Sequence, residues 1–219
     1  MHSTKPECRL CLHPIGESWS FKGDIRVYEV CHHCCLVQVQ NSFLPSPDDA
    51  RARYLHHAAN AGSEGHRRFL SQAVDPVLPF LRNENTLLDF GCGPVPVLAS
   101  MLPARGFDCD NFDPNFDFFV PENKQYDHVF CLETAEHFTW PHADWHTLHQ
   151  RVKPGGTLTL MTERYIDQRR FSGWYYKRDK THVAFYQEKT IRYLAEVFGF
   201  DVLFDDGIRV TVFRKKENG

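Results

Sequence analysis

The chain has 219 residues, of which 42% are hydrophobic and 14% aromatic, so it can bury a sizeable core, and a disordered or fibrous protein is excluded. Its 25 Lys and Arg residues against 28 Asp and Glu residues give a net charge of −3, which excludes a globally basic nucleic-acid coat. No stretch approaches the ~20 consecutive apolar residues of a membrane span, and the N-terminus lacks an apolar signal core. We therefore expect a soluble, cytoplasmic protein without a membrane partner.

Residues 1–44 are predicted to form a zinc-binding module, because they contain five of the eight cysteines. Two C-x-x-C pairs, nineteen residues apart, provide the candidate zinc ligands: Cys8, Cys11, Cys31 and Cys34. Four thiolates leave no open position on a tetrahedral Zn²⁺, so the predicted zinc is structural and supplies folding free energy that so small a core lacks. Three neighbouring residues are close enough to replace one of these four as a zinc ligand: His32, His33 and Cys35. The plainer alternative is that some of these cysteines are simply buried.

Residues 45–85 are predicted to form a helical linker or cap, and strand and helix patterns alternate from residue 86 onwards. The predicted strands are TLLDF, FDCDNF, HVFCL, TLTLMTE, DVLF and RVTVFRK, and the predicted helices are PVLASMLPARG, a segment through Trp145 to Val152, and TIRYLAEVFG. This alternation predicts an α/β fold with a mainly parallel sheet covered on both faces. The turn residues Asp205, Asp206 and Gly207 predict an antiparallel hairpin at its C-terminal edge.

A glycine turn, LLDFGCGP, follows the first predicted strand of this region. Gly91 and Gly93 allow the backbone to approach a ligand closely. Asp113 follows Gly93 by twenty residues at the end of the next strand, where a carboxylate accepts hydrogen bonds from both ribose hydroxyls of an adenosine-containing cofactor. Because the usual phosphate-binding continuation is absent, the pattern favours a cofactor without a pyrophosphate.

LLDFGCGP, Asp113, YDHVFCLETAEHF and LHQRVKPGGTLTLMT together resemble the S-adenosylmethionine-dependent methyltransferases of the Rossmann-like type, over roughly residues 50–219. The resemblance implies a Rossmann-like domain over residues 86–219, preceded by the small zinc-ribbon-like module. It also implies a set of cofactor-binding residues: Asp89, Gly91 and Gly93 around the methionine part, Asp113 at the ribose, and Cys131 and Leu132 along the cofactor.

Two features depart from that family pattern. Val95 stands where many members have a third glycine, and Tyr126 follows Asp113 by only thirteen positions, so the third strand is predicted to be short or missing. A Rossmann-like fold that no longer binds the cofactor therefore stays an alternative.

Four residues are candidates for catalysis and for a second, divalent metal ion: Glu133, Glu136, His137 and His182. The first three have the spacing i, i+3, i+4, which predicts one face of a helix. The set resembles that of the small-RNA 2′-O-methyltransferases, in which two glutamates and two histidines hold a catalytic metal, and it is similar to the ubiquinone-pathway O-methyltransferases. A metal can lower the pKa of an acceptor hydroxyl. The alternatives are a metal-free acid or base, His137 or His182, and purely structural roles.

Residues 164–192 carry eight cations against three acids and are interleaved with aromatic residues. Such a segment can contact phosphates and stack bases, or it can close over the cofactor as a lid. Its candidate substrate-binding residues are Arg170, Trp174, Tyr175 and Tyr176. Upstream, Arg67 or Arg68 is a candidate partner of the methionine carboxylate.

The first functional hypothesis is methylation of RNA (tRNA or rRNA), with metal-assisted O-methylation as the favoured chemistry. It is based on the basic aromatic residues 164–192 and on the four-cysteine module, which resembles ribbons on some RNA methyltransferases. The second is methylation of a small molecule such as a sugar, a quinone or a secondary metabolite, since certain sugar and antibiotic-pathway methyltransferases carry similar modules. The third is a non-catalytic zinc-containing binding module with a degenerate cofactor site.

Overall fold

The computed structural model describes residues 6–217, apart from the side chain of residue 57. Its N-terminal part contains three short antiparallel strands: β1 (Glu17–Ser20), β2 (Val27–Val30) and β3 (Val37–Val39). Trp19 of β1 and Tyr28 of β2 are paired across the strands and are both buried. A ribbon of this size is too small to be stable alone, so its buried face requires a partner.

Two helices follow: α1 (Pro47–His57) and α2 (Glu64–Val74). Each begins at a serine whose hydroxyl oxygen accepts a backbone N–H of the first turn, with Ser46 capping α1 and Ser63 capping α2. The inner face of α2 buries Leu70 and Val74 in the same apolar cluster as Leu87. Within residues 6–217, no helix is long and apolar enough to cross a membrane.

The remaining strands are β4 (Leu87–Phe90), β5 (Cys109–Phe112), β6 (Tyr126–Leu132), β7 (Val152–Met161), β8 (Ala184–Phe185), β9 (Phe200–Asp205) and β10 (Val210–Lys215). The remaining helices are α3 (Val97–Met101), α4 (Pro141–Arg151), α5 (Gln168–Gly173) and α6 (Glu188–Val197).

Six of these strands form the main sheet in the order β5-β4-β6-β7-β10-β9. The first four are parallel, and β10 runs antiparallel to both β7 and β9. This arrangement confirms the predicted α/β class, the mainly parallel Rossmann-like sheet and its antiparallel C-terminal edge. Within the described residues, no strand lies between β5 and β6 along the chain, as the short spacing after Asp113 predicted.

Strand β8 joins the N-terminal strands into a second sheet, in the order β1-β2-β3-β8. Val37 pairs with Phe185 and Gln38 with Ala184, so β3 is hydrogen-bonded to a strand about 146 residues later in the chain. The apolar core is also shared, because the buried Cys8 and Leu36 lie in one cluster with Trp145. The N-terminal part is therefore packed directly against the main fold.

Candidate functional site

A cavity of about 1380 Å³ lies at the carboxyl ends of β4, β5 and β6. Its walls also include residues of α1 and α2, part of residues 175–182, and Arg209 from the C-terminal hairpin. Ligands of open α/β sheets bind outside the carboxyl ends of the strands, so this cavity is the candidate functional site. It exceeds the ~300 to 1,000 Å³ typical of single-ligand pockets, which leaves room for a cofactor and an acceptor together.

The glycine turn after β4 forms one wall of the cavity. Gly91 and Gly93 have left-handed backbones, with φ of 84° and 67°. A Cβ atom on Gly91 would lie 2.2 Å from Cγ2 of Thr134, whereas a Cβ on Gly93 would meet no atom within 4 Å. Gly91 is therefore required by packing, and Gly93 leaves the backbone open towards the cavity. Val95, at the position of the absent third glycine, also lines the cavity.

Asp113 is buried at the cavity wall and is bonded to the glycine turn. Its Oδ2 accepts a hydrogen bond from the Gly93 amide at 3.0 Å, and its Oδ1 accepts one from the Asn115 amide at 2.9 Å. The carboxylate therefore connects the ends of β4 and β5. Oδ1 also accepts a hydrogen bond from Asn115 Nδ2 at 3.2 Å, so the lone pair that remains is on Oδ2, where it can accept a ribose hydroxyl of an adenosine-containing cofactor.

Asp89, at the end of β4, lines a smaller adjoining cavity of about 90 Å³ together with Gly91 and Leu132. Burial, with the nearby charge of Asp113, raises the pKa of Asp89 from its ordinary value of 3.8 to about 7. A carboxyl group in such a place is stabilised in its charged form by a cation, and the ammonium of a methionine moiety is a cation of suitable size.

Leu132 and Cys131 project to opposite sides of β6, as consecutive strand residues do. Leu132 lines the cavity beside the glycine turn. Cys131 is fully buried in the cluster that contains Trp145, away from the cavity lining.

The segment that follows β6 is not the α-helix that the spacing predicted. Glu133 has a left-handed backbone with φ of 50°, and Ala135–His137 form a single 3₁₀ turn. The prediction that Glu133, Glu136 and His137 share one helical face was therefore wrong. Glu133 lies before the turn, and its carboxylate comes near that of Glu136 because both lie within 3.3 Å of the Tyr176 hydroxyl.

Three of the four predicted residues nevertheless converge, and we call Glu136, His137 and His182 the acid–histidine cluster. One possible ligand atom from each lies within 4.8 Å of the others. The His137 ring contacts the His182 ring at a centroid distance of 4.8 Å. The Nδ1 of His137 donates to the Thr181 carbonyl at 3.0 Å, which leaves its Nε2 as an acceptor. These groups can hold a divalent cation or a protic ligand.

Several polar atoms of this region are buried without a hydrogen-bond partner among the described residues: Glu133 Oε1, Glu136 Oε2 and His182 Nδ1. The single hydroxyl proton of Tyr176 is donated to Glu136 Oε1 at 2.6 Å, and Glu133 Oε2 lies 3.3 Å from the same hydroxyl oxygen. Burial and the charge of Glu136 raise the pKa of Glu133 well above its usual range, and burial lowers the pKa of His182 to about 4.

The four predicted zinc ligands form a second cluster, whose sulfur atoms all lie within 4.8 Å of one another. The Cys8 and Cys34 sulfurs are 3.6 Å apart, and the Cys11 and Cys31 sulfurs are 3.4 Å apart. These separations are close to the ~3.8 Å of two sulfurs on a tetrahedral zinc with Zn–S bonds of ~2.3 Å. Three nearby residues lie outside the cluster: His32, His33 and Cys35.

The predicted substrate-binding residues occupy different environments. Tyr175 lines the cavity as a residue that is 57% exposed, and Tyr176 lines it as a buried residue. Trp174 donates its indole N–H to Glu163 at 2.9 Å and lies behind the cavity wall. Arg170 is exposed on α5, outside the cavity lining.

Two of the cations of residues 164–192 form buried ion pairs within the protein. Arg164 pairs with Asp205 at 2.8 Å and Lys177 pairs with Asp24 at 2.6 Å, and both cations are buried. Apart from the surface pair of Arg192 with Glu188, five cations of the segment are exposed: Arg169, Arg170, Arg178, Lys180 and Lys189.

The two upstream arginines do not reach the cavity. Arg67 donates to the Gly62 carbonyl at 3.1 Å, and Arg68 pairs with Glu64 on the surface at 2.5 Å. Neither residue belongs to the cavity lining.

Among the cavity residues that sequence reasoning did not assign to the site are Tyr54 of α1 and Arg209. The Tyr54 ring lies 5.0 Å from the His137 ring, and Arg209 pairs with Glu163 at 3.0 Å. The segment around Tyr54 precedes the first strand of the main sheet, where related enzymes often place a helix over the cofactor, but no spacing pattern marks Tyr54 itself or Arg209.

The family model described as a methyltransferase domain matches residues 54–203. An O-methyltransferase family protein from Burkholderia thailandensis superposes with a TM-score of 0.56 at 17% identity, covering 82% of this chain and 66% of that one. For a S-adenosylmethionine-dependent methyltransferase from Archaeoglobus fulgidus, the TM-score is 0.52 at 16% identity, with 68% and 94% covered.

A third similar structure is the 1,6-didemethyltoxoflavin-N1-methyltransferase of Burkholderia thailandensis with bound 1,6-didemethyltoxoflavin and S-adenosylhomocysteine. It has a TM-score of 0.51 at 12% identity, with 92% of this chain and 100% of that one covered. At these identities the structures show a shared fold. No curated protein sequence matches the chain significantly.

Proposed function

Because this chain belongs to the methyltransferase-domain family and is an S-adenosylmethionine-dependent methyltransferase, we propose that it methylates a hydroxyl oxygen of a small molecule with the help of a divalent cation. The observation that carries this proposal is the set of unpartnered buried atoms at the cavity: Glu133 Oε1, Glu136 Oε2 and His182 Nδ1. A buried acceptor without a donor costs about 1–3 kcal/mol, and a bound cation or hydroxyl removes that cost.

In this proposal, the cofactor occupies the side of the cavity formed by the glycine turn. Asp113 accepts a ribose hydroxyl through Oδ2, the open backbone at Gly93 lies against the cofactor, and Asp89 faces the methionine ammonium. Bound S-adenosylmethionine supplies a methyl group on a positively charged sulfur. The acceptor then occupies the rest of the cavity, between Tyr54 and the acid–histidine cluster.

The acid–histidine cluster offers one carboxylate oxygen and two imidazole nitrogens, a donor set that suits a first-row divalent cation. When bound there, such a cation lowers the pKa of an acceptor hydroxyl. The acceptor oxygen forms its bond to the methyl carbon as the carbon–sulfur bond breaks, and a nearby base takes the hydroxyl proton. Glu133 is the candidate base, because it lines the cavity and its Oε1 has no hydrogen-bond partner among the described residues.

The proposal of a small acceptor is supported by the burial of several basic and aromatic side chains of residues 164–192. Arg164 and Lys177 are buried in ion pairs, and Phe171 and Tyr176 are buried with the N-terminal strands. Tyr176 lines the cavity, and none of these four buried side chains is free to contact nucleic acid.

RNA remains the second candidate, because five cations of the same segment are exposed and the exposed ring of Tyr175 lies at the cavity. Phosphate contacts through exposed cations and base stacking on an exposed ring are the features of single-stranded nucleic-acid binding.

The four-cysteine cluster is proposed to hold a structural Zn²⁺. The supporting observation is that four sulfurs lie at near-tetrahedral separations, and three of the cysteines are fully buried. Four ligands would close the coordination sphere, so this zinc would stabilise the fold and take no part in methyl transfer.

The proposed function is tested by transferring labelled methyl groups from S-adenosylmethionine into an extract of source cells that lack the gene. We expect the label in the small-molecule fraction. Label in the nuclease-sensitive fraction would replace this proposal by RNA methylation. An absence of label, together with no S-adenosylmethionine binding in equilibrium dialysis at millimolar concentration, would indicate a non-catalytic binding protein.

The metal part of the proposal has its own test. Glu136→Gln keeps the shape of the side chain and removes its charge, so we expect loss of divalent-cation binding and of methyl transfer, with the zinc content unchanged. Activity that survives this substitution in metal-free buffer would favour a metal-free mechanism with His137 as the base.

A further inference from the structure

The N-terminal cysteine module reaches the acid–histidine cluster through the buried side chain of Arg9. Arg9 lies inside the first C-x-x-C pair and is only 2% exposed. Its guanidinium donates to the Val39 carbonyl at 2.9 Å, to the Asn41 side chain at 2.6 Å and to the Val183 carbonyl at 3.2 Å. One side chain thus bonds the module to a residue of the distant segment that carries the cluster.

Val183 lies between the two halves of the cluster. It directly follows His182 in the chain, and its own amide donates to the Glu136 carbonyl at 2.8 Å. Its carbonyl accepts from Arg9 and also from the Val39 amide at 2.9 Å. Both donors to the Val183 carbonyl therefore belong to the module, whereas the Val183 amide is hydrogen-bonded to the backbone of Glu136.

The short length of β8 makes these contacts important. β8 contains two residues, and its ladder to β3 contains two pairs. So short a ladder fixes the preceding residues weakly by itself, whereas a guanidinium donor in a buried environment adds a strong, directional bond. Removing it would leave the Val183 carbonyl with one donor and the peptide next to His182 less well fixed.

We infer that Arg9 is a positioning residue for the acid–histidine cluster, which it acts on through Val183. This inference rests on the proposed function of that cluster. It gives the cysteine module a defined role in the site: the module sets the distance between His182 and Glu136, and it leaves the glycine turn and Asp113 unaffected.

The test compares Arg9→Met with Arg9→Lys and with Tyr165→Phe in the full-length protein. Arg9→Met removes the guanidinium donors and keeps an unbranched aliphatic side chain. Arg9→Lys keeps a charged donor but lacks the planar guanidinium that can bond several acceptors at once. Tyr165→Phe is the matched control, because the Tyr165 hydroxyl also donates to the module, at the Cys35 carbonyl at 2.6 Å, and not to the Val183 carbonyl.

The first readout is amide hydrogen exchange of Val183, which needs no substrate. We expect Arg9→Met to speed this exchange about tenfold or more, Arg9→Lys to give an intermediate rate, and Tyr165→Phe to leave it nearly unchanged. Exchange of the β4 amides and calorimetric affinity for S-adenosylmethionine should stay as in the parent protein. Equal Val183 rates in Arg9→Met and Tyr165→Phe would overturn the inference.

The second readout is methyl transfer, in which Arg9→Met should lower kcat about tenfold with little change in the KM for S-adenosylmethionine. A normal kcat beside faster Val183 exchange would refute the role of Arg9 in the site. If Arg9→Met does not fold, the comparison of Arg9→Lys with Tyr165→Phe decides by the same criteria. If no acceptor is methylated, the proposed function fails, and the Val183 exchange together with the imidazole NMR signal of His182 still decides whether Arg9 positions the cluster.

Discussion

Alanine should affect Gly91 and Gly93 in different ways, although both have a left-handed backbone. Their φ angles are 84° and 67°, so each substitution carries the same conformational penalty. Their surroundings differ, because a Cβ on Gly91 would lie 2.2 Å from Cγ2 of Thr134, and a Cβ on Gly93 would meet no atom within 4 Å. Gly91→Ala should therefore reduce mainly stability, and Gly93→Ala should reduce mainly cofactor affinity.

The magnitudes follow from these two effects. A left-handed alanine costs about 1–2 kcal/mol, and forcing an extra methyl against a packed side chain costs about 1–3 kcal/mol more. The free energy of unfolding should thus fall by about 2–5 kcal/mol in Gly91→Ala and by about 1–2 kcal/mol in Gly93→Ala. In Gly93→Ala the new methyl would enter the cavity, so affinity for S-adenosylmethionine should fall about tenfold or more.

Urea unfolding followed by tryptophan fluorescence measures the stabilities, and calorimetry measures the affinities. The double variant Gly91→Ala/Thr134→Ala tests the cause, since it removes Cγ2 and Oγ1 of Thr134. We expect the two changes to be less than additive by about 1 kcal/mol. Equal costs for both glycines, or strict additivity in the double variant, would refute the packing explanation.

Three further results are expected. Asp113→Ala should weaken S-adenosylmethionine binding about 10- to 100-fold in calorimetry, because a charged hydrogen bond to the ribose is lost. Cys8→Ser should lower zinc content, measured by metal analysis, together with the melting temperature. In the cofactor-free protein the pKa of Asp89 is raised from 3.8 to about 7, so the native state retains a proton that the unfolded state releases. The free energy of unfolding should therefore decrease as the pH rises from 4 to 7, by at most about 4 kcal/mol. Asp89→Asn should remove this part of the pH dependence in urea unfolding.

The main sheet could be predicted from the sequence because its signals are local. Most of its strands contain a short apolar run next to turn residues, and the hairpin at Gly207 has its own turn signal. The missing third strand could also be predicted, since the spacing between Asp113 and Tyr126 leaves no room for it.

The pairing of β3 with β8 could not be predicted, because the two strands have three and two residues and lie about 146 positions apart. Strands this short carry no periodicity that distinguishes them from loops. The spacing of Glu133 to His137 was misleading for a related reason. This spacing matches one face of a helix, but Glu133 has a left-handed backbone and therefore cannot be part of a helix with Glu136 and His137.

The charges of residues 164–192 show most clearly why composition alone misleads about function. A sequence count includes Arg164 and Lys177 as available cations, whereas the fold buries both beside carboxylates. The same fold buries Phe171 against Trp19 and Tyr28, so the aromatic residues that look like a base-stacking surface complete the core of the N-terminal strands.

The N-terminal strands and residues 164–192 therefore depend on each other. The strands are too few to bury their aromatic face alone, and the segment has no sheet of its own beyond the two residues of β8. Together they form one four-stranded sheet that supports the wall of the cavity carrying Tyr176 and His182. A cysteine-bound metal at one end of this sheet would thus help to fix the geometry of the acceptor side of the site without being part of that site. Disrupting the module should therefore disturb the geometry of the acid–histidine cluster more than that of the glycine turn.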